Sequence, residues 1–117
     1  MMSNKYRYEY DDDRIPSDNE RARTEHNARR RMDVYAAIDG EREYQDRRWS
    51  AQTTETEGNH TVGEFIGFML DYLLEANKQI SRQGEPRASQ DALNTLRKVT
   101  AMGVACMEQN GAPKRES

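Results

Sequence analysis

Between Val62 and Ile80 the apolar residues return at steps of four and three: Val62, Ile66, Met69, Leu73, Ala76 and Ile80. A helix turns once every 3.6 residues, so this spacing gathers all six on one face, whereas a strand would scatter them across two. Phe65, Leu70 and Leu74 widen the stripe, and so broad an apolar face suits contact with more than one neighbour. Just ahead stands Thr61-Val62-Gly63-Glu64, a capping box that satisfies the free N–H groups of a helix start. A chain with this segment at its centre is directed towards helical packing.

A third helix is predicted after the connector Ser81 to Arg87, which holds Gly84 and Pro86. Ser89 reads as its cap, with Asp91 well placed in the first turn. Leu93, Leu96, Thr100, Gly103 and Met107 form its expected core line, with Val99 and Val104 beside it. Ala101, Gly103 and Ala105 are small and let another helix approach closely. Gly111 followed by Pro113 ends the element, and residues 112–117 read as a tail.

Helix 1 is expected from about Met32 to Trp49, where Tyr35, Ile38, Arg42, Gln45 and Trp49 recur at helical spacing. Its core-facing line is thus interrupted by two polar residues. Gly40 in its middle weakens the helix by roughly 1 kcal/mol relative to Ala and marks a bend or a close approach by another backbone. Residues 50–60 are a polar loop. Upstream, Ser17-Asp18-Asn19-Glu20 is another capping box and opens a polar helical lead-in, residues 17–31, rich in arginine. In residues 1–16, Tyr6, Tyr8 and Tyr10 alternate with charges and precede three aspartates. That segment reads as a disordered tail, with a short partner-binding strand as the sharper alternative. The helical domain proper is therefore residues 32–111, and the expected fold is all-α: a three-helix up-down bundle with an extended polar N-terminal lead-in.

Of the 117 residues, 33 % are charged and 34 % hydrophobic, and the mean hydropathy is −1.17. So small a core favours completion by self-association, and a homo-oligomer with helix 2 or helix 3 at its interface is expected. The net charge of −3, with acids and bases interleaved, argues against nucleic-acid binding by bulk charge. Arg21 to Arg31 offer only a distant DNA-binding reading, which predicts a steep loss of affinity with salt. Cys106 is single, so it has no disulfide partner within the chain, and its apolar surroundings suit a small core residue. With no membrane-spanning run and no apolar signal core at the amino terminus, the expected setting is cytoplasmic.

Three groups of residues invite a chemical reading. Glu41, Arg42, Gln45 and Asp46 share or flank the face of Ile38 and Trp49. A charge buried there needs a partner, so Glu41 or an acid from another helix should pair with Arg42. Such a network could recognise a polar ligand between Tyr35, Tyr44 and Trp49, form a contact between subunits, or serve only as the rim of a helix end. On helix 2, Glu64, Asp71 and Glu75 step by seven and four along the face opposite the apolar stripe. A row of carboxylates suits a hard cation such as Mg²⁺, or simply solvent. Phe68 lies among them and suggests a covered surface. His60, just before the Thr61 cap, could close a pocket with Trp49 or carry a proton.

A tryptophan closing helix 1, a polar loop ending in histidine and an acid-bearing helix form an order similar to that of the MazG-like all-α nucleoside triphosphate pyrophosphohydrolases. That resemblance implies Mg²⁺ held by carboxylates, here Glu41, Asp71 and Glu75, with room for acids supplied by a second subunit. The chain departs from the family where Leu96-Arg97-Lys98-Val99-Thr100 stands in place of its Glu-x-x-Asp motif. The chain also resembles small accessory proteins of tailed phages. The residues carrying that likeness are Glu41-x-x-Tyr44-Gln45-Asp46-x-x-Trp49, His60-Thr61-Val62-Gly63-Glu64 and Val104-Ala105-Cys106-Met107-Glu108-Gln109-Asn110-Gly111. It implies a non-enzymatic protein of the host cytoplasm that binds a host protein or a small nucleotide-like ligand and needs no cofactor. The expected ligand surface is Glu41, Arg42, Tyr44, Gln45 and Trp49, with His60 nearby.

Overall fold

The computed structural model describes residues 15–50, 59–82 and 84–116, with the side chain of Ser50 outside the description. They form three helices: α1 Asp18–Ser50, α2 Val62–Ile80 and α3 Ala88–Asn110. The protein is an all-α helical bundle. The tyrosine-rich segment and most of the polar loop, residues 51–58, lie outside the described residues.

Residues 34–112 form one compact unit, and the stretch before them forms part of another. In that upstream stretch the capping box is present: Ser17 N–H donates to Glu20 Oε1 at 2.9 Å, and Glu20 N–H donates to Ser17 Oγ at 3.1 Å. Arg21 pairs with Asp18 and also donates to the Pro16 carbonyl at 3.1 Å. The polar lead-in is thus helix from its first turn, continuous in α1 with the predicted helix 1. Local capping and side-chain pairs hold it, since nearly all of its residues are exposed.

Within the compact unit, α2 and α3 pack antiparallel. Gln79 near the end of α2 accepts a hydrogen bond from Thr95 Oγ1 at 2.7 Å, while the start of α2 meets Asn110 at the end of α3. The α2 start is built as expected: Glu64 N–H donates to Thr61 Oγ1, and Thr61 N–H donates to Glu64 Oε1 at 2.8 Å. Two local expectations are corrected. The cap of α3 is Arg87, not Ser89, and it contributes backbone alone; Asp91 N–H donates to the Arg87 carbonyl at 2.8 Å. Among the described residues no other element comes within 4 Å of where a Cβ on Gly40 would stand, so the close backbone approach is not found there.

The larger correction concerns the core. Val62, Ile66, Leu73 and Ile80 of α2, and Leu93, Leu96 and Met107 of α3, are exposed. The core consists instead of Phe65, Ala88, Val99, Ala101, Met102 and Ala105. The reason is geometric. Helix α3 is shared between two neighbours, and the line Ala101–Ala105 lies on the face that also carries Arg97 and Glu108, whose side chains pair with α1. The large apolar lines of α2 and α3 are left facing outward.

Candidate functional site

One turn of α1 supplies most of the polar chemistry. Ile38 and Trp49 are half-buried, and the two polar residues between them go deeper: Arg42 is 8 % exposed and Gln45 5 %. The helical spacing requires this, because all four share a face. Arg42 Nε donates to Glu108 Oε1 at 3.2 Å, and its Nη2 donates to the same oxygen and to Asp46 Oδ1 at 2.8 Å. Burial alone works against the guanidinium charge. The hydrogen bonds to Glu108 and Asp46 outweigh it and hold the group above the ordinary arginine value.

The neighbours of Arg42 are equally engaged. Glu41 Oε1 accepts from Arg97 Nε at 2.9 Å, and Arg97 Nη1 donates to Asn94 at 2.7 Å. Gln45 Nε2 donates to the Lys98 carbonyl at 3.2 Å. A single turn of α1 therefore grips α3 at Arg97, Lys98 and Glu108, about three turns apart along that helix. The acid expected from another helix is Glu108, and Glu41 turns to Arg97 instead. Sequence reading missed Glu108 and Arg97 as partners because no periodicity connects positions this far apart in the chain.

Two atoms of this cluster are buried without any hydrogen-bond partner among the described residues: Arg42 Nη1, a donor, and Gln45 Oε1, an acceptor. Buried polar atoms in folded proteins are nearly always satisfied, so an orphaned donor and an orphaned acceptor on successive turns of one helix face set this cluster apart.

His60 lies at the same end of α3 as Glu108. Its N–H donates to Gln109 Oε1 at 2.7 Å, and its carbonyl accepts from Asn110 Nδ2 at 3.1 Å. The ring stands edge-on to Phe65 and Phe68 at 5.7 and 5.4 Å between centroids, with Nδ1 3.4 Å from Glu64. Arg42 and His60 are thus both anchored to the last turns of α3. Tyr44 is exposed, with the Arg48 guanidinium over its ring at 5.9 Å.

Phe68 is 40 % exposed and covered in part by His60. The carboxylates proposed for Mg²⁺ are not brought together. Glu41 is occupied by Arg97, Glu75 faces Lys78 at 4.0 Å, and among the described residues no three His, Cys, Asp or Glu side chains form a group able to hold a metal. No described helix is long and apolar enough to cross a membrane. No family model, curated protein or solved structure matches the chain.

Proposed function

We propose that this chain is a non-enzymatic accessory protein of the tailed-phage kind, acting in a host cytoplasm by binding a small nucleotide-like ligand at the α1–α3 seam. The observation that carries this reading is the orphaned pair, Arg42 Nη1 and Gln45 Oε1. A ligand edge with an acceptor beside a donor satisfies both, and the N7 and N6–H₂ edge of adenine is such an edge. The pairing favours a small ligand over a host protein at this place.

Charge narrows the ligand further. Around the two guanidiniums of Arg42 and Arg97 stand three carboxylates, those of Glu41, Asp46 and Glu108. That cluster has no surplus of positive charge to attract a triphosphate, so the base is the recognised part. Half-buried Trp49 and exposed Tyr44 are the aromatic residues of the expected ligand surface, on the same stretch of α1.

A thermal-shift screen of nucleosides and nucleotides, each with and without Mg²⁺, tests the reading. A ligand at a hundred times its dissociation constant stabilises by roughly 2.7 kcal/mol, a shift of about 10 °C in a domain of this size. The expected result is a shift that nucleoside and nucleotide share, independent of Mg²⁺ and lost in Gln45→Met. A shift requiring Mg²⁺ would turn the reading towards the MazG-like hydrolase, with Glu41 released from Arg97. The absence of any shift would reduce the cluster to a clamp between helices.

A further inference from the structure

The uncharged lines of α2 and α3 share one spacing, apolar throughout in α2 and carried in α3 by Leu93, Leu96 and Met107 among small residues. That of α2 steps 4-3-4-3-4 from Val62 to Ile80; that of α3 takes the same steps from Ser89 to Met107, through Leu93, Leu96, Thr100 and Gly103. Each spans about 27 Å of helix. They run antiparallel, and they lie against each other where Met69 Cε stands 3.5 Å from the Cβ position of Gly103. At the other end they open into an apolar groove of about 570 Å³ bordered by Leu73, Ile80, Leu93 and Leu96. Neither line contains a charged residue. The acids of α2 (Glu64, Asp71 and Glu75) lie on its opposite face by helical spacing.

Such a seam repeat is the signature of helices packed knob into hole, and here both seams face the same open side. We infer that a second copy of this chain covers that side, the two α2–α3 pairs closing into a four-helix core about a two-fold axis. The occupant follows from the shape of what is missing. The complement of an antiparallel pair of uncharged 4-3 seams is another such pair of equal length, and this chain is one. A two-fold interface is self-complementary, and placing the acids away from the seam keeps like charges apart across it.

The area agrees. Val62, Ile66, Leu70, Leu73 and Ile80 of α2 are each about half exposed, as are Leu93, Leu96 and Met107 of α3. Together they leave on the order of 700 Å² of largely apolar surface open to water. Monomeric proteins seldom tolerate a contiguous patch larger than that. A stable interface takes about 800 Å² from each partner, roughly 60 % of it apolar, so these side chains are enough to supply its apolar part. This inference goes beyond the ligand reading and involves a different surface.

Light scattering on the full chain during size exclusion tests it, together with Leu73→Asp, Leu96→Asp and the control Asp71→Lys. The wild-type protein and the control are expected at twice the chain mass of 13.6 kDa. Each aspartate variant is expected to raise the dissociation constant at least about 30-fold, as losing an interface anchor does, while keeping the helical circular dichroism of the wild type. Leu93→Asp serves as a further variant, because that side chain is 58 % exposed and its replacement leaves the core of a single copy intact. A wild-type monomer would overturn the inference. So would a dimer insensitive to all three aspartate variants, because its interface would then lie elsewhere.

Discussion

Arg42 donates to Glu108 Oε1 from both Nε and Nη2, and this contact links the middle of α1 to the last turns of α3 across 66 positions of sequence. Its environment is asymmetric: the arginine side chain is 9 % exposed and that of Glu108 55 %. Loss of the acid therefore costs more than a surface ion pair would, because it leaves a buried guanidinium with Asp46 alone. Glu108→Ala is expected to lower stability by about 1–3 kcal/mol in urea unfolding. Arg42→Lys is expected to destabilise as well, since an ammonium lacks the planar fork that reaches Glu108 and Asp46 together. A Glu108→Ala variant as stable as the wild type would show that the contact holds nothing.

Glu41 and Arg97 form the companion link, with the glutamate side chain 9 % exposed. Single replacements Glu41→Gln and Arg97→Gln, combined in a double-mutant cycle, are expected to show a coupling of about 1 kcal/mol or more. Additive losses would mean that each residue acts through other partners.

The start of α2 makes stability depend on pH. The Glu64 carboxylate is held below the ordinary glutamate value, first by the hydrogen bond from the Thr61 N–H and further by nearby His60. The unfolded chain therefore takes up this proton at a higher pH than the folded one. The stabilisation is complete above the ordinary glutamate value of about 4.3 and is lost as pH falls through the lower folded value. In Glu64→Gln that part of the acid dependence should disappear, because the amide carbonyl still accepts from Thr61 but does not titrate. Urea unfolding across the acid range reads it, and equal slopes in both proteins would contradict the assignment. Separately, Thr61→Ala should cost about 1 kcal/mol for the lost cap.

Two glycines should respond in opposite directions. Gly40 lies inside α1 with open space around it, so Gly40→Ala is expected to stabilise by roughly 0.5–1 kcal/mol. Gly111 ends α3 at φ 110° and ψ 150°, backbone that side chains avoid, while its N–H donates to the Met107 carbonyl at 2.8 Å. Gly111→Ala is expected to cost about 1–3 kcal/mol. Melting temperatures of the two variants displaced in the same direction would count against this account.

Much of the local structure was legible. The capping boxes at Ser17 and Thr61, the stop at Gly111 and the helical stretches between them follow from residues within a few positions of each other, where hydrogen bonding and side-chain period act directly. The burial of Arg42 and Gln45 was legible for the same reason, since Ile38 and Trp49 fix their face. The cap of α3 was not, because Arg87 starts that helix with backbone alone and offers no side-chain signal. Nor were the partners of the polar cluster, because a charge pair between Arg42 and Glu108 leaves no trace in the spacing of either helix.

What the sequence by itself determined is the set of helices and the apolar or polar character of each face, since both arise from local hydrogen bonding and a 3.6-residue period. Which face became core was decided only in the tertiary structure. The small residues Ala101 and Ala105, with Phe65 and Met102, form the interior, while the stronger stripes through Leu73 and Leu96 remain outside. Hydrophobicity requires that a stripe be covered and does not say by what. Close packing around α3 rewards small side chains where helices converge, and that depends on how three helices meet, not on any one of them.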